Sequence, residues 1–188
     1  MENTSETSAT HRKKRSVFAL LAVVVLVALG AGTYLLLRDS DDATPTAGTP
    51  PFAVSAAGLA TLAKAVPDAI YWAGPRDAKL YELTRTAEGN VFVRYLPEGV
   101  DAGSKVDLFT VATYPASDAY AAAWRTAGQS GNVAVQTSAG AIAFRSKSSR
   151  KNVYLAFRGQ NVQIEVFSSR PGEAERAVRA GEIVRVGR

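Results

Sequence analysis

Charge is absent from one long stretch of the chain and regularly spaced through the rest. Residues 17–37, VFALLAVVVLVALGAGTYLLL, are 21 consecutive uncharged positions. A bilayer hydrocarbon core of about 30 Å is crossed by about 20 apolar residues in a helix. A helix also satisfies all of its own backbone polar groups in lipid. The pattern predicts a transmembrane helix over 16–37. Residues 1–15 are polar and rich in Ser and Thr, with no apolar period, and predict a disordered tail. Residues 38–52 combine charge, Thr, Gly and three prolines, and predict a flexible linker.

From residue 53 to 188 the spacing alternates between helical and extended periods. Ser55 reads as a helix N-cap, with Leu59, Leu62, Ala63 and Val66 following at helical spacing and Pro67 ending the run. AIYWAGPR is a short strand closed by Gly74-Pro75. In KLYELTRT, Tyr81, Leu83 and Arg85 share a side, and in VFVRYL, Val91, Val93 and Tyr95 alternate with Phe92, Arg94 and Leu96. VDLFTVATY makes a third strand. ASDAYAAAWRTAG then places Ala116, Tyr120, Ala123, Trp124 and Ala127 on one helical face, with Gly128 as its stop.

The second half repeats this order. VAVQT, GAIAFRS, NVYLAF and VQIEVF read as strands, the last with Val162, Ile164 and Val166 opposite Gln163, Glu165 and Phe167. Pro171 suits the first turn of a helix that carries Ala174, Ala177 and Val178. EIVRV adds a final edge strand. The phrases NVFVRY and NVYLAF occupy the same slot in each half, and Asn fits a turn position with positive φ. The expectation is an α+β domain: a two-layer antiparallel sheet with helices on one face, built as two βββα units. Chance similarity between short strands is the simpler account of the shared phrase.

Charge orients the apolar span. Arg12, Lys13, Lys14 and Arg15 precede it and Arg38 alone follows closely, which places the N-terminus in the cytoplasm and the C-terminal domain outside the plasma membrane. The competing reading is a cleaved signal peptide ending at Ala28-Leu29-Gly30. The chain has no cysteine, so a lipid-modified cysteine anchor and disulfides are excluded. Ala28 and Gly32 form a small-xxx-small pair, the basis for a weak homodimer through the span. Alanine occurs 33 times and Arg outnumbers Lys by 15 to 7. Composition and layout together resemble uncharacterised single-pass membrane-anchored proteins of high-GC Gram-positive bacteria. The resemblance is one of layout and implies no activity.

Candidate chemistry is sparse. His11 is the sole histidine and lies in the tail. The outer domain therefore has neither imidazole nor thiol, which removes Ser-His-Asp and Cys-His nucleophile systems and the usual zinc ligand sets. No metal site and no cofactor are expected. Ser148 and Lys151 match an S-x-x-K pattern, but in a hairpin turn and without its companion motifs. Asp39, Asp41 and Asp42 lack the remaining positions of a calcium loop. Glu82 and Glu165 lie in strands and are the carboxylates a glycoside hydrolase would need, or else ordinary strand charges.

Two surface candidates remain. Tyr71, Trp72 and Arg76 form either a ligand-binding rim or part of a core strand and turn. Arg145, Lys147, Arg150, Lys151 and Arg158 cluster around one hairpin beside Phe144, Tyr154 and Phe157. They suit contact with an anionic surface, or are simply a solvated turn. Stacking aromatics among basic residues also suit single-stranded nucleic acid, but the position outside the cell argues against that partner. Residues 53–188 hold 17 Lys/Arg against 12 Asp/Glu, a net of +5, which favours anionic neighbours. The functional expectation is a non-enzymatic extracytoplasmic binding or sensing domain at the cell envelope, with an envelope protein or polyanion as partner. The alternatives are a small carboxylate-based hydrolase acting on envelope polymers and an assembly subunit of a membrane complex.

Overall fold

Period-2 alternation becomes an eight-stranded antiparallel sheet. A computed structural model describes residues 48–137 and 140–187. The tail and the span at 16–37 lie outside the described residues, as does most of the linker. No helix among the described residues is long and apolar enough to cross a membrane. The elements are β1 (Thr49–Val54), α1 (Ala56–Ala65), β2 (Tyr71–Trp72), β3 (Leu80–Arg85), β4 (Val91–Leu96), β5 (Thr110–Pro115), α2 (Ala119–Ala127), β6 (Asn132–Val135), β7 (Ala141–Ser146), β8 (Asn152–Phe157), β9 (Val162–Phe167), α3 (Glu173–Arg179) and β10 (Val184–Arg185). The sheet order is β1-β3-β4-β5-β9-β8-β7-β6. The architecture is α+β, a mostly antiparallel sheet with a few helices.

The register explains the core. Leu83 pairs with Val93 across β3–β4, Val111 with Val166 across β5–β9, and Leu155 with Ile164 across β8–β9. Each of these residues is buried and faces the side covered by Leu59 of α1 and by Ala174, Ala177 and Val178 of α3. Ser55 caps α1 as its sequence suggests, accepting from the Gly58 N–H at 3.2 Å. NVFVRY and NVYLAF supply β4 and β8, the second strand of each hairpin pair. The positive φ of the β3–β4 turn falls on Gly89, at 81°, and not on Asn90. Glycine adopts that conformation without a Cβ clash.

Four expectations are corrected. First, the helices do not share one face. α2 packs Ala119 and Ala123 against Phe144 and Ala156, on the side of the sheet opposite α1 and α3. The reason is legible afterwards: β7 and β8 are apolar on both faces, Ile142 and Phe144 backing Ala143, and Tyr154 and Ala156 backing Val153 and Leu155.

Second, residues 49–52, read as the end of a linker, begin β1, which pairs antiparallel with β3. Pro50 and Pro51 are tolerated because β1 is an edge strand and its register shifts between Thr49 and Phe52. Third, Val184–Arg185 pairs with Tyr71–Trp72 in a separate two-stranded sheet instead of extending the large one. Fourth, Trp124 is 64% exposed, because the buried stripe of α2 centres on Ala119 and Ala123 and leaves Trp124 on its flank. Trp124→Gln is therefore expected to change unfolding free energy by less than about 0.5 kcal/mol. Urea denaturation would show this as an unmoved midpoint.

Candidate functional site

The placement of α2 on β7 and β8 leaves the outer face of β4 and β5 without a helix among the described residues. Alternation puts Phe92 and Arg94 of β4 on that face, Thr110, Ala112 and Tyr114 of β5, and Glu165 and Phe167 of β9. Register brings them into rows: Phe92 lies opposite Ala112, Ala112 opposite Glu165, and Glu165 opposite Tyr154 of β8. Phe92 meets the Tyr114 ring edge to face, with centroids 5.9 Å apart. Ala112 is buried and the others are half-buried.

Two adjoining hollows result, sharing Thr110 and Phe167. The smaller, of about 140 Å³, is lined by Phe92, Ala112, Tyr114, Asn152, Glu165 and Phe167. Its carboxylate is held by neutral donors. The Tyr114 hydroxyl donates to Glu165 Oε2 at 2.9 Å, and the Asn152 side-chain amide donates to Oε1. The larger hollow, of about 380 Å³, contains Glu82 and Arg94 beneath residues 103–108. Here Arg94 Nη1 donates to both Glu82 oxygens, at 2.9 and 2.8 Å, and Nη2 donates to the carbonyls of Ser104 and Val106. The Gly103 N–H completes the cage, donating to Glu82 Oε2 at 2.7 Å. Glu82 and Glu165 thus share a face, one tied to a guanidinium and the other free of any cation among the described residues.

The hydroxyls around Glu165 hold their protons strongly. Burial, then the Glu165 charge, raises Tyr114 and Tyr154 well above the ordinary tyrosine value of 10.0. Tyr95, on the other side of the sheet, is raised mainly by burial. A raised folded value means that the neutral phenols stabilise the fold below pH 10 and that this contribution is lost as pH rises beyond it. Spectrophotometric titration is expected to show these tyrosines ionising late and together with unfolding. Smooth ionisation near 10 with the fold intact would contradict the burial.

The residues singled out from sequence are placed differently. Tyr71 is buried and stacks on Phe157, centroids 5.6 Å apart, while Trp72 meets the Tyr81 ring edge to face. Arg76 spans inward contacts, donating to Glu173 and Glu182 at 2.9 Å each with its guanidinium 4.3 Å from the Phe109 ring centre. Arg76 thus ties the segment after β2 to α3 and the turn that follows it, while Tyr71 and Trp72 pack β2 against β8 and β3.

The basic hairpin is divided. Arg145 donates to the buried Glu175 at 2.9 Å, and Arg179 of α3 donates to the same carboxylate. Arg158 lies 5.0 Å from the Tyr120 ring centre, over α2. Lys147, Arg150 and Lys151 remain exposed. The sequence reading did not foresee Phe92, Tyr114, Asn152 and Phe167 as one site. Their outward positions were visible strand by strand, but the pairing that collects them was not. Among the described residues no three Asp, Glu or His side chains converge as a metal site would require. An α+β domain with one open, aromatic-and-carboxylate sheet face is the class these features define. No family model, no curated protein and no solved structure matches the chain.

Proposed function

We propose that this chain is a membrane-anchored, non-enzymatic binding or sensing module whose domain lies outside the plasma membrane and meets its ligand on the open face of β4, β5 and β9. The observation that carries the reading is that face: aromatic and polar side chains packed side by side, with no helix over β4 and β5 among the described residues. Surfaces of this composition are those that proteins use to bury a ligand. The uncharged run at 17–37, flanked by basic residues on one side, supports the anchor. Exposed Arg150 and Lys151 support an anionic envelope neighbour at the opposite half of the sheet.

The same reading treats β3–β5 and β7–β9 as two copies of one βββα unit. The mirrored strand order supports it, and the placement of α2 and α3 on opposite faces counts against it.

A photo-crosslinking residue at Phe92 in intact cells tests the binding face, with one at exposed Lys64 on α1 as control. Capture from position 92 alone is the expected result. A single membrane polypeptide in that adduct would make the chain an assembly subunit. Equal capture from both positions, or turnover of an envelope polymer by the purified protein, would overturn the reading.

A further inference from the structure

Among the carboxylates that are buried or half-buried in this domain, Glu165 is unlike the rest. Asp68 is paired with Arg85, Glu82 with Arg94, Glu173 with Arg76, and Glu175 with Arg145 and Arg179. Glu165 alone in this set has only neutral partners: the Tyr114 hydroxyl, the Asn152 amide and the neighbouring Tyr154. Desolvating a carboxylate is costly unless a positive charge compensates it. An ionised carboxylate offers about four lone-pair sites, so the neutral donors leave acceptor capacity free. Beside that capacity lie the Phe92, Tyr114 and Phe167 rings, whose electron-rich faces attract cations. Of the two cations lining the adjoining hollow, Arg94 is already committed to Glu82 and two carbonyls, and Lys105 is exposed to solvent.

We propose that the hollow at Glu165 is a binding site for an alkylammonium group. The ligand's –NH₃⁺ donates to the Glu165 carboxylate, and its alkyl chain lies along Phe92 and Phe167. A primary ammonium suits the site better than a quaternary one, because the free acceptor positions need N–H donors. This inference rests on the open face being the ligand surface, and it names the charge and class of what binds there.

The test uses the full-length protein in detergent micelles and ligand-observed saturation-transfer NMR, with n-butylammonium as probe and n-butanol as its neutral match. Butylammonium is expected to receive transfer and butanol to receive little. Glu165→Gln should weaken butylammonium binding by about tenfold, the loss expected for one charge-assisted hydrogen bond. Should that variant fail to fold, Phe92→Leu keeps the carboxylate, removes the ring face and should weaken binding less. Equal transfer to both probes, or an unchanged response in Glu165→Gln, overturns the ammonium assignment. Crosslinking from position 92 is a separate readout. If it still captures a ligand, the binding face stands and only the cation is wrong.

Discussion

Arg94→Ala is expected to destabilise the domain by about 3–5 kcal/mol, the cost of leaving a buried charge without its partner. The Glu82 side chain is 3% exposed and that of Arg94 19%. The truncation strips both Nη1 bonds from the carboxylate and leaves the Gly103 N–H as its remaining donor. It also frees the Ser104 and Val106 carbonyls, so the segment over the larger hollow loses its tether. Urea unfolding should show a lower midpoint, and the exchange of amides near Gly103 should accelerate. Glu82→Gln/Arg94→Met, which removes both charges, should recover much of the loss, since an apolar or neutral replacement of a buried pair is often tolerated. A loss below about 1 kcal/mol would place this pair with exposed surface bridges instead.

Glu175→Ala is expected to cost about 3 kcal/mol for a related reason. Glu175 is 8% exposed and is the shared acceptor for Arg145 and Arg179, with Arg150 4.0 Å away. Without it, three guanidinium groups repel across one site. Burial pushes the Glu175 carboxyl up, but the hydrogen bonds and charges of Arg179 and Arg145 outweigh burial and hold it below its ordinary value of 4.5. A depressed folded value means that this stabilisation is complete above pH 4.5 and is lost as pH falls through the folded value. The native protein should therefore lose stability as pH falls below 4.5 and through the depressed folded value. Glu175→Gln should flatten that acid limb. An acid limb of the same depth in the variant would assign it to other carboxylates.

The basic hairpin shows how much of a site can be seen from residue order. Arg145, Lys147, Arg150 and Lys151 look like one patch because they are close in sequence. In the fold Arg145 turns to Glu175, thirty residues on, and its charge is neutralised. Arg176 arrives from α3 instead, close enough that a Cβ on Gly172 would lie 3.3 Å from Arg150 Nη2 and 3.8 Å from Arg176 Nη1. Likewise Tyr71 and Trp72 advertise a ligand rim by being aromatic and next to a turn. Their rings are used by Phe157 and Tyr81, partners too distant in the chain for local pattern to reveal.

Local physics was sufficient for whatever depends on neighbours a few residues away. The cap at Ser55, the 3.6-residue stripe of α1, the alternating faces of β3, β4 and β9 and the turns before Asn90 and after Phe157 all follow from spacing and residue type. The α+β class follows from their sum. Even the outward direction of Phe92 and Glu165 was written into period-2 alternation.

Long-range pairing decided the rest. Joining β5 to β9 set Ala112 beside Glu165 and so made one hollow from four strands, β4, β5, β8 and β9. Burying β7 and β8 on both faces drew α2 away from β4 and β5 and left that hollow open. Strand neighbours are chosen by the total apolar area that the whole sheet can bury, a quantity no single segment contains. The hollow is a consequence of that choice, which is why its residues are scattered from Phe92 to Phe167 and meet only in the folded protein.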